Sequence, residues 1–308
     1  MKKIATFLLI ILCTINLFSE ESSKEKIPKI DYKKLAFGEN NTLEIMTWNI
    51  QKFPKKGSVT INYAKNTILA IDSDVIGLQE IEDKKAFQQL VKALNEADKM
   101  NNWKGFRADS DEWNMNLAYI YKANVIQKPD IFEIYNDADD KYGFEFPRYP
   151  LVLTFNYKKQ NFVIINNHLK AFSKPEDIER RKKALKLLHT YVENNYPDDN
   201  VIILGDLNDN IVDKPVDNVF QDFLSDSLDF KFADYQIAAD STADWSYPYW
   251  KYRGHLDHII ISNEMFDEFQ KDNSVVKTIA MDKFMEGGDN ARYQYITDHR
   301  PVALKLEF

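Results

Sequence analysis

Six short polar clusters, each closing an apolar strand-like run, are spread over almost the whole chain. In order they are TWNIQKF ending at Phe53, LQEIED around Glu80, NNHLK around His168, GDLND around Asp206, HLDHIIIS around Asp257 and TDHRP around His299. Side chains at strand ends can work together only if those ends meet, so one site has to gather residues from Asn49 to His299. That favours a single domain over two, although 308 residues would suffice for either. Strand and helix signals alternate, with hairpins interspersed, which points to an α/β chain of mixed sheets packed together with helices outside. Polar groups at strand ends are also where α/β enzymes build metal-assisted phosphate chemistry, so hydrolysis of phosphate esters is the leading functional expectation.

Apolar periodicity predicts strands at Thr42–Ile50, Asp74–Gln79, Leu117–Tyr121, Leu151–Tyr157, Phe162–Asn167, Val201–Leu204, Leu256–Ser262 and Val302–Phe308. Helices are expected at Val59–Ala70, at Lys84–Lys99 and, longest of all, from Pro175 to Asn195. The last carries the apolar stripe Ile178, Leu185, Leu188 and Val192. No repeat and no low-complexity linker interrupts the pattern.

The amino terminus has the layout of an export signal. Lys2 and Lys3 precede an apolar run from Ile4 to Leu12, followed by Ser19, Glu20, Glu21 and Ser22. The run is too short for a permanent bilayer span, so residues 1–19 are expected to be a cleaved signal peptide, 20–41 a polar segment and 42–308 the functional domain. Cys13 is the only cysteine, and its lipidation is the secondary reading because Leu12 before it is bulky. The expected location is outside the cytoplasm, secreted or periplasmic, with no disulfide.

Losing Lys2 and Lys3 would take the net charge from −8 to −10. That argues against holding nucleic acid by a broad basic face. It leaves a nuclease open, since turnover needs a few placed cations and a divalent metal rather than a basic coat.

Each cluster carries its own chemistry. Glu80 ends the buried run DVIGLQ, and a hard cation such as Mg²⁺ takes one or two carboxylates and keeps most of its waters. Asn49 closes LEIMTW and offers a neutral amide for a metal-bound water or a phosphate oxygen. In GDLND, Asp206 and Asn208 are two apart and share a face in extended backbone, so the carboxylate can orient or deprotonate a water while the amide binds phosphate. In HLDHIII the same alternation places His255 with Asp257, and His258 with Leu256 and Ile260. On that reading His258 is a packed histidine, and the two imidazoles cannot converge on one zinc ion.

His299 needs an orienting carboxylate to act as a base, and Asp257 is the candidate. His168 suits a cationic role on the phosphate or leaving oxygen; the reverse assignment of the two histidines is chemically symmetric. His189 is expected to be structural. Arg148, ahead of the strand LVLTF, is a candidate bidentate phosphate contact. The run Trp245, Tyr247, Tyr249, Trp250, Tyr252 with Arg253 reads as packing, with stacking on bases, sugars or lipid as the sharper option. Arg180, Arg181, Lys182 and Lys183 read as a solvated helix face.

Together these motifs resemble the endonuclease/exonuclease/phosphatase superfamily, over nearly everything from Leu43 onward. The resemblance implies a four-layer sandwich of two packed mixed β-sheets flanked by helices, and Mg²⁺-dependent phosphoester cleavage, with Mn²⁺ or Ca²⁺ as alternatives. It places Asn49, Glu80 and Asp298 at the metal and His168 at the first catalytic histidine. Asp206 and Asn208 match the GDxN pair, Asp257 the histidine-orienting aspartate, and Asp298 with His299 the terminal SDH. NIQKF and QEIED are similar to the deoxyribonuclease I-like branch, in which Arg148 falls near the phosphate-contacting arginine. TDH in place of SDH, Pro54 after Phe53 and the absent cysteines are departures that bear on substrate. The implied activity is DNA phosphodiester hydrolysis by a monomer with no obligate protein partner. The alternative is hydrolysis of a phospholipid or phosphoinositide head group.

Overall fold

A computed structural model describes residues 26–308 apart from 112–113, 137–138, 140, 215–216, 241–243 and 250–251. The apolar leader, Cys13 and Trp250 lie outside the described residues. Among those that are described, no helix is long and apolar enough to cross a membrane.

In chain order the strands are β1 (Thr42–Phe53), β2 (Val75–Ile81), β3 (Trp103–Arg107), β4 (Asn116–Lys122), β5 (Gln127–Glu133), β6 (Leu151–Tyr157) and β7 (Gln160–His168). They continue with β8 (Asn200–Asp206), β9 (Phe230–Phe232), β10 (Tyr247–Tyr249), β11 (Tyr252–Gly254), β12 (Asp257–Ser262), β13 (Val275–Thr278) and β14 (Val302–Glu307). One sheet has the order β13-β14-β1-β2-β4-β3 and the other β5-β6-β7-β8-β12-β9, while β10 and β11 form a separate ribbon. Each sheet is antiparallel except for one central parallel pair, β1 with β2 and β7 with β8. A parallel pair needs a crossover, and helices α1 (Ser58–Ile71) and α3 (Pro175–Asn195) supply the two. Helix α2 (Lys84–Ala97) starts at Asp83, whose carboxylate accepts from the Lys85 and Ala86 amides.

Alternation along the strands divides the core into three bodies. Leu43 and Ile45 of β1 face Leu153, Ile164 and Leu204 of the second sheet. Met46, Trp48 and Ile50 face outward against Ile68 of α1 and Leu90 of α2. On the far side Ile165 and Ile203 pack under Leu185 and Leu188 of α3. The result is the expected four layers: helices, sheet, sheet, helices. The polar segment before Thr42 also joins this body, since Leu35 and Phe37 are buried in the first outer core.

Near the site end the inter-sheet layer becomes polar. Gln79 Nε2 donates to Asn166 Oδ1 at 2.7 Å, and Asn166 Nδ2 donates to the Leu78 and Ala118 carbonyls across the sandwich. Tyr119 Oη reaches the Leu151 and Ile164 carbonyls. Buried polar groups need such partners, and these fix one register of sheet on sheet.

Gly205, immediately before Asp206, has φ +142°, and an added Cβ would stand 1.9 Å from the Asn167 carbonyl oxygen. We expect Gly205→Ala to destabilise the protein by about 2–4 kcal/mol through combined strain and overpacking. Denaturant melts would measure it, and a loss below ~1 kcal/mol would refute the close-approach argument.

Candidate active site

The site lies where β1 and β2 of one sheet and β7, β8 and β12 of the other end together. Cross-strand pairing sets the second-sheet half: His168 pairs with Asp206, and Asp206 pairs with Asp257. Asn49 and Glu80 come from the ends of β1 and β2, and Asp298 with His299 from the loop before β14. Glu80 and Asn208 adopt φ +61° and +56°, unusual for non-glycine residues and associated with functional loops.

Asn49 joins the two halves. Its Nδ2 donates to Asp206 Oδ2 at 2.9 Å and to Glu80 Oε1 at 3.2 Å, while its Oδ1 accepts from the Gln51 amide. Glu80 Oε2 accepts from the Lys52 amide. Gln51 Nε2 donates to Asp298 Oδ2, which leaves Asp298 Oδ1 buried with no hydrogen-bond partner among the described residues. Asn208 donates its amide to Asp206 Oδ1 and its side-chain nitrogen to the Leu169 carbonyl, keeping one side-chain N–H for a ligand.

The histidines flank Asp206. His299 Nδ1 is 2.7 Å from Asp257 Oδ2, and Ser246 Oγ accepts from the Asp257 amide. Both His299 Nε2 and His168 Nε2 stand 3.6 Å from Asp206 Oδ2, close enough to attract but too far to hydrogen bond. Burial alone would lower the His299 pKa, but Asp257 and Asp206, followed by Asp298, push it up to about 10. Burial, then Arg148 and His299, hold His168 well below its ordinary value. Burial raises the Asp206 carboxyl to about 7, with Asp257 and Glu80 adding repulsion and His299 and Asn49 opposing it. The surroundings thus favour the charged form of His299 and the neutral form of His168, on either side of a carboxyl whose burial favours its protonated form.

Every residue singled out at a strand end is therefore brought to one place. Arg148 stands behind it, largely buried, with Nε 3.8 Å from Asp111 Oδ2 and Nη2 3.1 Å from the Met115 sulfur, near enough to act on His168 through its charge. Trp245 is buried against Arg300, whose guanidinium carbon lies 3.5 Å from the ring centroid, so it packs rather than stacks on a ligand. Tyr247 lies against His299 with ring centroids 4.7 Å apart. His189 of α3 pairs with Asp226 and Glu193 at the surface of the helix layer.

Two expectations are corrected. Arg181 is buried instead of solvated: its guanidinium binds Asp209 at 2.8 Å and the Lys170 and Phe172 carbonyls at 2.6 and 2.7 Å. It braces the loop after His168, which the helical charge run concealed. His255 does not share a face with Asp257, because β12 begins at Asp257 and alternation does not extend back to it. His255 and His258 instead both turn toward Asp234. His258 is packed, as the pattern predicts.

One residue escaped sequence reading altogether. Phe172 is 75% exposed at φ +79°, on the loop that Arg181 braces and four residues beyond His168, with Lys170 Nζ 4.6 Å from its ring centroid. A lone phenylalanine in a polar loop carries no sequence signal.

A sequence model of the endonuclease/exonuclease/phosphatase family matches residues 37–299. No curated protein matches the sequence. Among solved structures, D. rerio TDP2 complexed with single strand DNA product is 13% identical with TM-score 0.61, aligned over 87% of this chain and 100% of that one. An endonuclease/exonuclease/phosphatase from Bacteroides vulgatus is 14% identical with TM-score 0.59, over 87% and 99%. A 3'-5' exonuclease from Neisseria meningitidis is 18% identical with TM-score 0.59, over 86% and 100%. At these identities the structures share the fold.

Asp257 orients the His299 ring and favours its charged form through a single short contact. We expect Asp257→Asn to leave the melting temperature nearly unchanged while lowering kcat on the order of 10²–10⁴-fold with little change in KM. Steady-state kinetics on a phosphodiester would check this, and an unaltered kcat would remove Asp257 from the machinery.

Proposed function

The chain belongs to the endonuclease/exonuclease/phosphatase family, and on that premise we propose that it is an exported endonuclease hydrolysing DNA phosphodiester bonds. Membership makes it a divalent-metal-dependent phosphoric ester hydrolase. The observation that carries the finer reading is the set of carboxylates and imidazoles about Asp206, backed by a braced, exposed aromatic on the loop that follows His168.

The donors fit a hard cation. Glu80 presents a half-exposed carboxylate, Asp298 Oδ1 is buried and unsatisfied, and Asn49 lies beside Glu80. We assign Glu80 and Asp298, with Asn49 beside them, to Mg²⁺, Mn²⁺ or Ca²⁺ being alternatives; when bound, the ion neutralises phosphate charge and stabilises the leaving oxygen. The free N–H of Asn208 and the buried Arg148 favour an anionic phosphoryl group. Three carboxylates within 4 Å of the His299 ring favour its imidazolium form. In that form His299 donates to a phosphoryl or leaving oxygen rather than starting as the base. The proton of the attacking water goes to Asp206, whose carboxyl burial makes more basic than an ordinary carboxylate. His168, neutral, shares in orienting that water. Of the two assignments that the sequence leaves open, this favours His299 as the acid, with Asp206 in place of either histidine as the base.

Phe172 supports a nucleic-acid substrate, since an exposed ring braced four residues beyond His168 is a platform for a base. The D. rerio neighbour's single-strand DNA product points the same way. The same ring could equally wedge into a bilayer, which is the one observation favouring the lipid head-group alternative. The Lys2–Lys3 leader and apolar run support export.

One preparation tests these readings. The full chain is expressed in a bacterial host and the exported form is sequenced from its amino terminus; retention of residues 1–19 would overturn export. The protein is then given plasmid DNA with Mg²⁺ or with EDTA. We expect metal-dependent nicking, reduced at least ~10²-fold in Glu80→Gln and in His299→Ala. Absence of nicking by folded protein, with release of head groups from sphingomyelin or phosphoinositide vesicles, would transfer the assignment to lipid.

A further inference from the structure

Beyond the catalytic cleft, Asp234, His255 and His258 form a second cluster that the phosphoester chemistry does not use. Asp234 sits in the turn after β9, His258 on β12, and His255 in the turn that leads into β12. All three are fully or almost fully buried. Each contributes one potential ligand atom, and those atoms lie within 4.8 Å of one another. His258 Nδ1 is 2.7 Å from Asp234 Oδ2, and His255 Nε2 is 3.1 Å from the same oxygen.

The outward-facing atoms are already engaged. His258 Nε2 donates to the Asp209 carbonyl at 2.9 Å, and Asp234 Oδ1 accepts from the Ile259 amide at 2.9 Å. A histidine tied to a carbonyl through one nitrogen, with the other turned inward, is the usual support of a metal-binding imidazole. The hydrogen-bonded carboxylate has the same arrangement. His255 is different. Its Nε2 makes a charge contact with Asp234 but no well-formed hydrogen bond, and its Nδ1 has no hydrogen-bond partner among the described residues. A buried imidazole with an unsatisfied nitrogen, held beside a shared carboxylate only by a charge contact, is poised for a ligand that both groups can bind.

We propose that Asp234, His255 and His258 bind a transition-metal dication, with zinc the best match. Two imidazole nitrogens and one carboxylate oxygen suit a borderline ion such as Zn²⁺, whereas the all-oxygen set of Glu80 and Asp298 suits a hard one. Zn–N and Zn–O bonds of about 2.0–2.1 Å separate tetrahedral ligands by roughly 3.3 Å. The His255 contact is close to that spacing, and the His258 contact needs to open by about 0.6 Å. Binding displaces the His258 Nδ1 proton to solvent and leaves the Nε2 proton on the Asp209 carbonyl. The fourth position falls to a water. Such an ion would tie the turn before β12 to the turn after β9, and so fix the strand that begins at Asp257. It does not depend on whether the substrate is nucleic acid or lipid.

Metal content of the full chain tests this in a Glu80→Gln background, where the catalytic cation site is disabled. After incubation with Zn²⁺ and a wash with a weak chelator, we expect roughly one zinc per chain, and near none when His255→Gln is added. Absence of retained zinc in the Glu80→Gln chain would overturn the proposal, as would zinc unaffected by His255→Gln. His255→Cys covers the case in which the glutamine variant fails to fold. Loaded with Co²⁺, it should gain a thiolate-to-metal absorption in the near ultraviolet that Glu80→Gln alone lacks. Folded His255→Cys without that band would equally rule the site out.

Discussion

Everything chemical in this protein depends on the amide of Asn49. It is the direct side-chain bridge between the ends of the two sheets at the site, holding Glu80 of the first sheet and Asp206 of the second on a single nitrogen. Two carboxylates brought together in a buried cleft repel, and a neutral donor between them offsets part of that repulsion without adding charge. Below it, Gln79 with Asn166, and Tyr119 with two carbonyls, repeat the device deeper in the sandwich. An apolar interface would let the sheets slide by small increments at low cost. This polar column admits one alignment.

That alignment also sets the charge states. His168 and His299 are the same residue type at the same distance from Asp206, yet the first has the Arg148 cation as its further neighbour and the second has Asp257 and Asp298. The divergence is a property of neighbours, not of the imidazoles. It divides the labour between them before any substrate arrives.

The amino-acid pattern made the fold and most of the site legible because strand alternation and strand ends are local properties. Asn49, Glu80, His168 and Asp206 each close a run whose burial is visible in the sequence, and Asp257 opens one. Other features were not local. The short or exposed strands β3, β5 and β13 contain WKGFR, QKPDIFE and VVKT, which offer little apolar alternation, and they pair because a sheet edge is available. Alternation misled at His255, since the rule applies only within a strand and β12 starts two residues later. Arg181 looked solvated because three of its neighbours in the basic run are on the outer face, while its own partner, Asp209, is distant in sequence. The charge states of the histidines needed three-dimensional neighbours and could not be read at all.

Arg181 also has a thermodynamic meaning. By gripping the carbonyls of Lys170 and Phe172 and anchoring itself on Asp209, it freezes the backbone that carries the exposed ring. A flexible loop would surrender conformational entropy each time a ligand settled on Phe172. Here that loss is incurred once, during folding, and is absent from every later encounter. Recognition of the substrate class proposed above would therefore be of the preorganised kind at this loop, with selectivity set by which ligands fit a fixed ring.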